Sequence, residues 1–272
     1  MDKLTRRTIV SMLLIMAVWV IVYVLPNVLF SVVIALFIGF TQFELFKMVE
    51  RKNVFVPKYF STAAGCLIPI AIYLEHHNAS YKSLEALFLM LFALIIFLIQ
   101  FVRKNHSGNG ERLISISVTL FSLFYISWFF SFFVKLKMLA NGANLVAFLI
   151  IATKGADIGA YLGGSAFGRH QLIPWISPRK TVEGTLSGII ASTLFGALAY
   201  KMLPGFSVLH CAILGLVLGT IGQIGDLAES LIKRDCDVKD SEKYLADIGG
   251  VFDLIDSLLF TAPIFYFYII TL

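Results

Sequence analysis

The sequence predicts an all-α integral membrane protein that crosses the bilayer several times. Of its 272 residues, 58% are hydrophobic and only 14% are charged, whereas an average soluble domain carries about 25% charged residues. The apolar residues form continuous runs, each long enough for a membrane-spanning helix, without the alternation of a membrane β-barrel. Because so few charges cannot coat a soluble surface, the composition excludes soluble, disordered and secreted disulfide-framework proteins.

Nine apolar runs are candidate helices. The first follows three basic residues but lacks the small-residue cleavage site of a signal peptide, so we interpret it as a retained span. The predicted spans are about 8–25, 28–46, 59–74, 85–102, 113–134, 143–163, 185–203, 207–228 and 250–271. No strands are expected in these continuous runs.

The distribution of basic residues predicts the orientation. Seventeen of the 22 Lys and Arg residues lie in connections on the N-terminal side, four lie on the opposite side, and Lys154 lies inside a span. Because basic residues accumulate in cytoplasmic loops, we expect a cytoplasmic N-terminus and an active site facing the cytoplasm, in a prokaryotic inner membrane. The basic residues form no stripe, so no nucleic-acid partner is expected.

The charges also suggest two domains. Residues 1–135 contain about five ordinary apolar helices, whereas residues 136–272 form the predicted catalytic domain, with cytoplasmic loops 164–184 and 229–249. Two stretches, 154–183 and 226–256, hold 19 of the 39 charged residues and 11 of the 17 acidic ones. We therefore expect the chemistry in the second half of the chain.

The segment from Asp226 to Arg234 carries the first candidate site. Helical spacing places Asp226, Glu229, Ser230 and Lys233 on one face. Carboxylates in this pattern can hold a hard divalent cation, while Lys233 and Arg234 can contact phosphate oxygens. A salt-bridged helix end explains the same spacing, so both interpretations stay open here.

Two further acidic groups lie at membrane depth. Asp253 and Asp256 stand one turn apart after Gly249–Gly250, and Lys154 and Asp157 interrupt the sixth apolar run. Carboxylates there are costly unless they are paired, solvated or metal-bound. This favours a metal or phosphate site, although solvated carboxylates and mutual neutralisation of Lys154 and Asp157 also fit.

The loop 177–184 is basic. Arg179 and Lys180 can bind a polyphosphate, and Glu183 can order them or a metal. Basic residues that only anchor the topology would have the same pattern.

Several of these motifs, in this order, resemble the signature of phosphatidate cytidylyltransferases, also called CDP-diacylglycerol synthases. The segments 230–240 (SLIKRDCDVKD) and 249–257 (GGVFDLIDS) are similar to the two parts of the late family signature. The segments 157–161 (DIGAY) and 177–184 (SPRKTVEG) also look like that family, and the resemblance covers about 150–260. Ile248 replaces the family's histidine and Leu254 its arginine, which indicates a divergent subgroup.

The resemblance implies cytidylyl transfer from CTP to phosphatidic acid, giving CDP-diacylglycerol and pyrophosphate, with one or two Mg²⁺ ions as cofactors. The implied metal residues are Asp226, Glu229, Asp240, Asp253 and Asp256. The implied catalytic residues are Asp226, Lys233, Arg234 and Asp253. The implied substrate-binding residues are Ser177, Arg179, Lys180, Thr181, Glu183, Ser230 and Lys239, with Asp157 as an intramembrane polar partner.

Three alternatives remain at this point. The first is a CTP-dependent enzyme acting on another lipid phosphate, or a lipid kinase. The second is a transporter that uses Lys154 and Asp157, although interrupted spans would then be expected in both halves of the chain and occur only in the second. The third is a catalytically silent scaffold, suggested by Ile248 and Leu254. A homodimer is left open.

Overall fold

The computed structural model of the chain describes residues 12–78, 81–104, 110–238 and 250–271. Within these ranges a helix lies in each of the nine predicted apolar segments. The helices are α1 (Met12–Val24), α2 (Asn27–Glu50), α3 (Lys58–His77), α4 (Leu84–Val102), α5 (Glu111–Met138), α6 (Gly142–Phe167), α7 (Val182–Leu198), α8 (Val208–Asp235) and α9 (Val251–Thr271).

Six of the described helices are long and apolar enough to cross a membrane, namely α2, α4, α5, α6, α8 and α9, while α1 and α7 are apolar but shorter. The protein is thus an all-α integral membrane protein, as predicted. The number of nine spans stays a prediction.

Helix α8 extends beyond its predicted end at residue 228. Ser207 caps its start by accepting the His210 N–H at 3.2 Å, and the helix continues to Asp235. Glu229 and Lys233, one turn apart, are only 2% and 7% exposed and form an ion pair at 2.5 Å. Because this pair neutralises its own charges, the helix continues where the sequence predicts a polar loop.

Small residues bring α6, α7 and α8 together. A Cβ atom at Gly159 would lie 2.3 Å from the Ala191 Cβ, and one at Gly196 would lie 3.0 Å from the Gly215 Cα. Only hydrogen fits at these crossings, so the backbones approach closely, as small residues permit in membrane helices. The polar ends of the three helices consequently meet.

A β-hairpin precedes α7. Strands β1 (Gln171–Ile173) and β2 (Ser177–Thr181) pair antiparallel, with Gln171 opposite Thr181. Thr181 then caps α7, because its Oγ1 accepts the Gly184 N–H at 3.1 Å. The sequence predicts only a loop here, since the segment Ser177–Thr181 lacks the alternation of apolar and polar residues that marks a strand.

The connections after α2, α4, α6 and α8 lie together at one end of the bundle, which we call the site end. The Arg103 guanidinium lies 4.2 Å from the Phe55 ring centroid, Lys52 pairs with Asp237, and Arg234 donates to the Ile176 carbonyl at 2.9 Å. Alternate connections thus share one end, which is the arrangement that the basic-residue count assumes.

Helix α9 packs against helices from both halves of the chain. It contacts α2 and α5 as well as α6 and α8. A π-helical segment in α5, Leu123–Trp128, presents Tyr125 to Phe252 and Phe260 of α9, with ring centroids 6.4 and 5.3 Å apart. The domain boundary at residue 135 stays a prediction, and α9 is one of the elements that join the two halves.

Candidate functional site

A polar cavity of about 520 Å³ lies at the site end, between α6, β2, α7 and α8. Small residues, including Gly164 and Gly184, leave the space for it. Six of the predicted site residues line it, namely Asp157, Ser177, Arg179, Lys180, Thr181 and Asp226. The fold therefore joins two charged stretches that are far apart in the sequence into one site.

Three carboxylates meet beside this cavity, and we call them the carboxylate trio. Asp226 and Glu229 of α8 and Asp256 of α9 each offer an oxygen atom, and these atoms all lie within 4.8 Å of one another. A Cβ atom at Gly225 would lie 2.6 Å from the Asp256 carbonyl oxygen, so this glycine lets α9 approach. An all-oxygen donor set of this kind fits a hard divalent cation such as Mg²⁺.

Each carboxylate of the trio also has a lysine partner from the surrounding elements. The pairs are Lys180 with Asp226 at 2.7 Å, Lys233 with Glu229 at 2.5 Å, and Lys154 with Asp256 at 3.8 Å. These lysines come from β2, α8 and α6, so three different elements supply cations to one cluster. Of the three, Lys180 also lines the polar cavity, where it can contact an anionic ligand.

The ion pairs extend the cluster in two directions. Lys154 also contacts Asp157 at 2.9 Å and the Ser257 Oγ at 2.8 Å, and Lys233 also pairs with Asp253. The joined network holds five carboxylates and three ammonium groups, which is a formal charge of −2 when all are ionised. Because uncompensated charge at membrane depth is costly, this balance favours a divalent cation at the trio.

Asp253 has a different position from the three carboxylates of the trio. It pairs with Lys233 and accepts the Gly250 N–H at 3.1 Å. It is therefore not one of the three carboxylates of the trio, and it contributes to the site by holding Lys233.

Three other predicted residues lie outside the cavity lining. Arg234 donates to the Ile176 carbonyl and so joins α8 to the hairpin. Ser230 is half-buried on α8, and Glu183 lies at the start of α7. The predicted residues Lys239 and Asp240 fall outside the described residues.

Glu183 holds the chain just before the hairpin. Its carboxylate accepts the backbone N–H groups of Arg169 at 3.0 Å and His170 at 3.2 Å, and it contacts the His170 Nδ1 at 2.6 Å. The Arg169 N–H, followed by the His170 ring, lowers the pKa of the Glu183 carboxyl to about 2. The geometry thus gives Glu183 an ordering role beside the cavity.

Replacing Glu183 with Gln is expected to loosen this hairpin. Because the pKa of Glu183 in the folded protein lies below its ordinary value of 4.5, the charged contact contributes at pH 7 and is lost as the pH falls from 4.5 towards 2. We expect faster trypsin cleavage after Arg179 and Lys180 in the E183Q protein at pH 7.5, measured in detergent. The control is Glu50→Gln, which removes an ion pair with Lys58 away from the hairpin. Equal cleavage rates in wild type and E183Q would contradict the assignment.

Glu44 is a site-end residue that the sequence interpretation missed. It lies on α2, is 1% exposed, and accepts the N–H groups of Val251 and Phe252 at 2.9 Å each. Its only sequence signal is an acidic residue near the end of the apolar run 28–46. The N-terminal helices therefore contribute to the site as well.

A second cavity, of about 460 Å³, lies between α1, α6 and α7. Its walls are almost entirely apolar and include Trp19, Ile151, Ile158 and Phe195, with Lys154 among them. Lys154 is paired with Asp157, which lines the polar cavity, so α6 contributes neighbouring residues to both cavities. One is lined mainly by polar and charged residues and the other mainly by apolar side chains.

Comparisons with known proteins agree on one family. A model described as "Cytidylyltransferase family" matches residues 5–272. The "Phosphatidate cytidylyltransferase" of Synechocystis sp. (strain ATCC 27184 / PCC 6803 / Kazusa) is 32% identical, with 89% of each chain covered. That of Bacillus subtilis (strain 168) is 28% identical, with 96% of each covered. The "Uncharacterized protein YnbB" of Escherichia coli (strain K12) is 39% identical over 56% of this chain and half of its own length.

Proposed function

The chain belongs to the cytidylyltransferase family, as the resemblance of its late motifs predicts, and on this premise we propose that it transfers a cytidylyl group from CTP to phosphatidic acid. The products are CDP-diacylglycerol, a precursor in phospholipid biosynthesis, and pyrophosphate. The observation that carries this proposal is the carboxylate trio with its three lysines, placed between a polar and an apolar cavity.

The reaction suits these residues. A phosphate oxygen of the lipid attacks the α-phosphorus of CTP, a new P–O bond forms, and the bond from the α-phosphorus to the bridging oxygen breaks as pyrophosphate leaves. Such a transfer depends on positioning and charge neutralisation, and it needs no covalent enzyme intermediate. Arg179 and Lys180 line the polar cavity, where they would bind phosphate oxygens of the triphosphate.

The trio would hold the metal ion. Asp226, Glu229 and Asp256 supply the carboxylate oxygens that Mg²⁺ prefers. Mg²⁺ neutralises phosphate charge when it is bound. Lys233 holds the Glu229 and Asp253 side chains in place through its two ion pairs, and Lys154 does the same for Asp157.

The apolar cavity would take an acyl chain of the lipid. It lies between α1, α6 and α7 and reaches Lys154, one helical turn from Asp157 of the polar cavity. A lipid phosphate at the polar cavity would thus leave its chain in apolar surroundings. The site end would face the cytoplasm of a bacterial inner membrane, where CTP is available, as the basic-residue count predicts.

One assay tests the proposed function and its alternatives. The purified protein is incubated in detergent with Mg²⁺, phosphatidate and CTP labelled at the α-phosphate, and the lipids are extracted. Label in the organic phase, with one pyrophosphate released per labelled lipid, is expected. Label only with a polyprenyl phosphate would instead support another lipid phosphate as substrate. An absence of label with every acceptor would contradict cytidylyl transfer, and a repeat with CTP labelled at the γ-phosphate would then separate a lipid kinase, which transfers that phosphate to the lipid, from a transporter or a scaffold.

Replacing Lys180 with Ala is expected to raise the KM for CTP. Because hydrogen bonds to charged groups contribute about 1.5–3 kcal/mol, we expect a rise of about 10- to 100-fold, with a smaller change in kcat. Lys201→Ala is the control, since Lys201 lies in the short connection between α7 and α8, at the other end of the bundle. A KM equal to that of wild type would remove Lys180 from the triphosphate site.

A further inference from the structure

The carboxylate of Glu44 lies at the N-terminus of α9, although it is 207 residues away from Val251 in the sequence. Its Oε1 accepts the Val251 N–H and its Oε2 accepts the Phe252 N–H, both at 2.9 Å. These are the first two N–H groups of α9. Both oxygens of one buried side chain are thus used by the start of one helix.

A carboxylate stabilises this position for two reasons. The first N–H groups of a helix have no partner within the helix, and negative charge is favourable beside a helix N-terminus. Helices α7 and α8 are capped locally, by Thr181 and Ser207. The Val251 and Phe252 N–H groups of α9, in contrast, are bound by Glu44 of α2. The position of this first turn therefore depends on a helix from the other half of the chain.

The same turn of α9 positions the acidic residues of the site. The Gly250 N–H donates to Asp253 at 3.1 Å, and Asp253 pairs with Lys233. Asp256, one turn later, completes the carboxylate trio. A small rotation or translation of this turn would move Asp253 away from Lys233 and Asp256 away from the trio.

We propose that Glu44 is a positioning residue for the metal site, which acts by holding the first turn of α9 so that Asp256 stays beside Asp226 and Glu229. The inference rests on the proposed function in taking the trio as the metal site. Glu44 is not one of the three carboxylates of the trio, and each of its oxygens accepts a backbone N–H group.

The test measures metal binding separately from catalysis. Mn²⁺ binding to the detergent-purified, full-length protein is titrated by electron paramagnetic resonance, and the Mg²⁺ concentration for half-maximal CTP turnover is measured in parallel. In Glu44→Gln, one backbone N–H faces an amide donor and the charge is lost. Because partners that orient metal ligands typically contribute 10- to 100-fold in affinity or activity, we expect the Mn²⁺ affinity to fall by about that factor, with a parallel rise in the Mg²⁺ requirement.

Two further variants separate positioning from general stability. Glu85→Gln is the matched control, because Glu85 is also a buried carboxylate, held by Trp128 and Lys135. It is expected to lower the melting temperature without changing the Mn²⁺ affinity. Glu44→Asp keeps the charge and is expected to restore part of the affinity, and it serves as the test if Glu44→Gln does not fold.

The outcomes that overturn the inference are distinct from a failure of the proposed function. A wild-type Mn²⁺ affinity in folded Glu44→Gln would show that Glu44 has a structural role only. If Glu44→Gln does not fold, a wild-type Mn²⁺ affinity in Glu44→Asp would show the same. An absence of saturable Mn²⁺ binding by wild type would also overturn the inference. If wild type binds Mn²⁺ but transfers no label to any lipid, the proposed function fails, while the Mn²⁺ titrations still test Glu44.

Discussion

Replacing Asp226 with Asn is expected to reduce the transfer of label from CTP to phosphatidate by about 100- to 1,000-fold, by analogy with the cost of removing one group that stabilises the developing charge of a transition state. Among the residues that the structure describes, Asp226 alone belongs to the carboxylate trio and also lines the polar cavity. The substitution keeps the size of the side chain but removes the charge. It therefore weakens the metal site where that site meets the substrate cavity.

The fold should tolerate this change. The Asp226 side chain is 34% exposed, and the oxygen of an Asn side chain can still accept a hydrogen bond from the buried Lys180 Nζ. Asp235→Asn is the matched control, because it removes one exposed carboxylate from the last turn of the same helix. We expect Asp235→Asn to keep wild-type turnover, and both variants to keep the wild-type melting temperature in detergent. Turnover by Asp226→Asn within a few-fold of wild type would contradict the metal assignment.

The local part of the site could be predicted from the sequence. The spacing of Asp226, Glu229 and Lys233 places them on one face of α8, and the structure has them there. Likewise, Lys154 and Asp157 pair across one turn of α6. These positions follow from the helical period alone, so they do not depend on how the helices pack.

The rest depends on tertiary contacts. Asp253 lies with Lys233 and not in the trio because α9 meets α8 with Gly225 against the backbone of Asp256. Glu44 contacts backbone N–H groups, which carry no sequence signal. The hairpin strand β2 contains four polar or charged residues and a proline, so its pairing is visible only in the folded chain.

The N-terminal helices consequently have a larger role than their composition suggests. The sequence of residues 1–135 predicts ordinary apolar spans. In the structure, however, α2 supplies Glu44 to the start of α9. Helix α5 supplies Tyr125, which packs on Phe252 in the first turn of α9. The turn that precedes the acidic residues of α9 is thus contacted by helices from residues 1–135, which hold only 6 of the 17 acidic residues. An isolated fragment 136–272 would lack these contacts.

Replacing Lys233 with Met is expected to destabilise the protein more than any substitution of its partners does. Lys233 is 7% exposed and lies between Glu229 and Asp253. Methionine retains the length of the side chain, so the change removes mainly the charge. Because breaking a buried ion pair from one side costs about 3–5 kcal/mol, we expect a clear fall in the melting temperature, together with a loss of CTP turnover.

The partners of Lys233 supply the comparison. Asp253→Asn leaves Lys233 paired with Glu229, so it is expected to fold with a nearly unchanged melting temperature while turnover is lost. The double variant Lys233→Met/Glu229→Gln removes one charge of each sign and is expected to recover much of the stability lost in Lys233→Met, without recovering activity. If instead the double variant is less stable than Lys233→Met, the loss comes from packing, and the lysine does not stabilise the fold through its charge. Thermal unfolding in detergent, measured beside CTP turnover, thus separates the contribution of this ion pair to the fold from its contribution to the reaction.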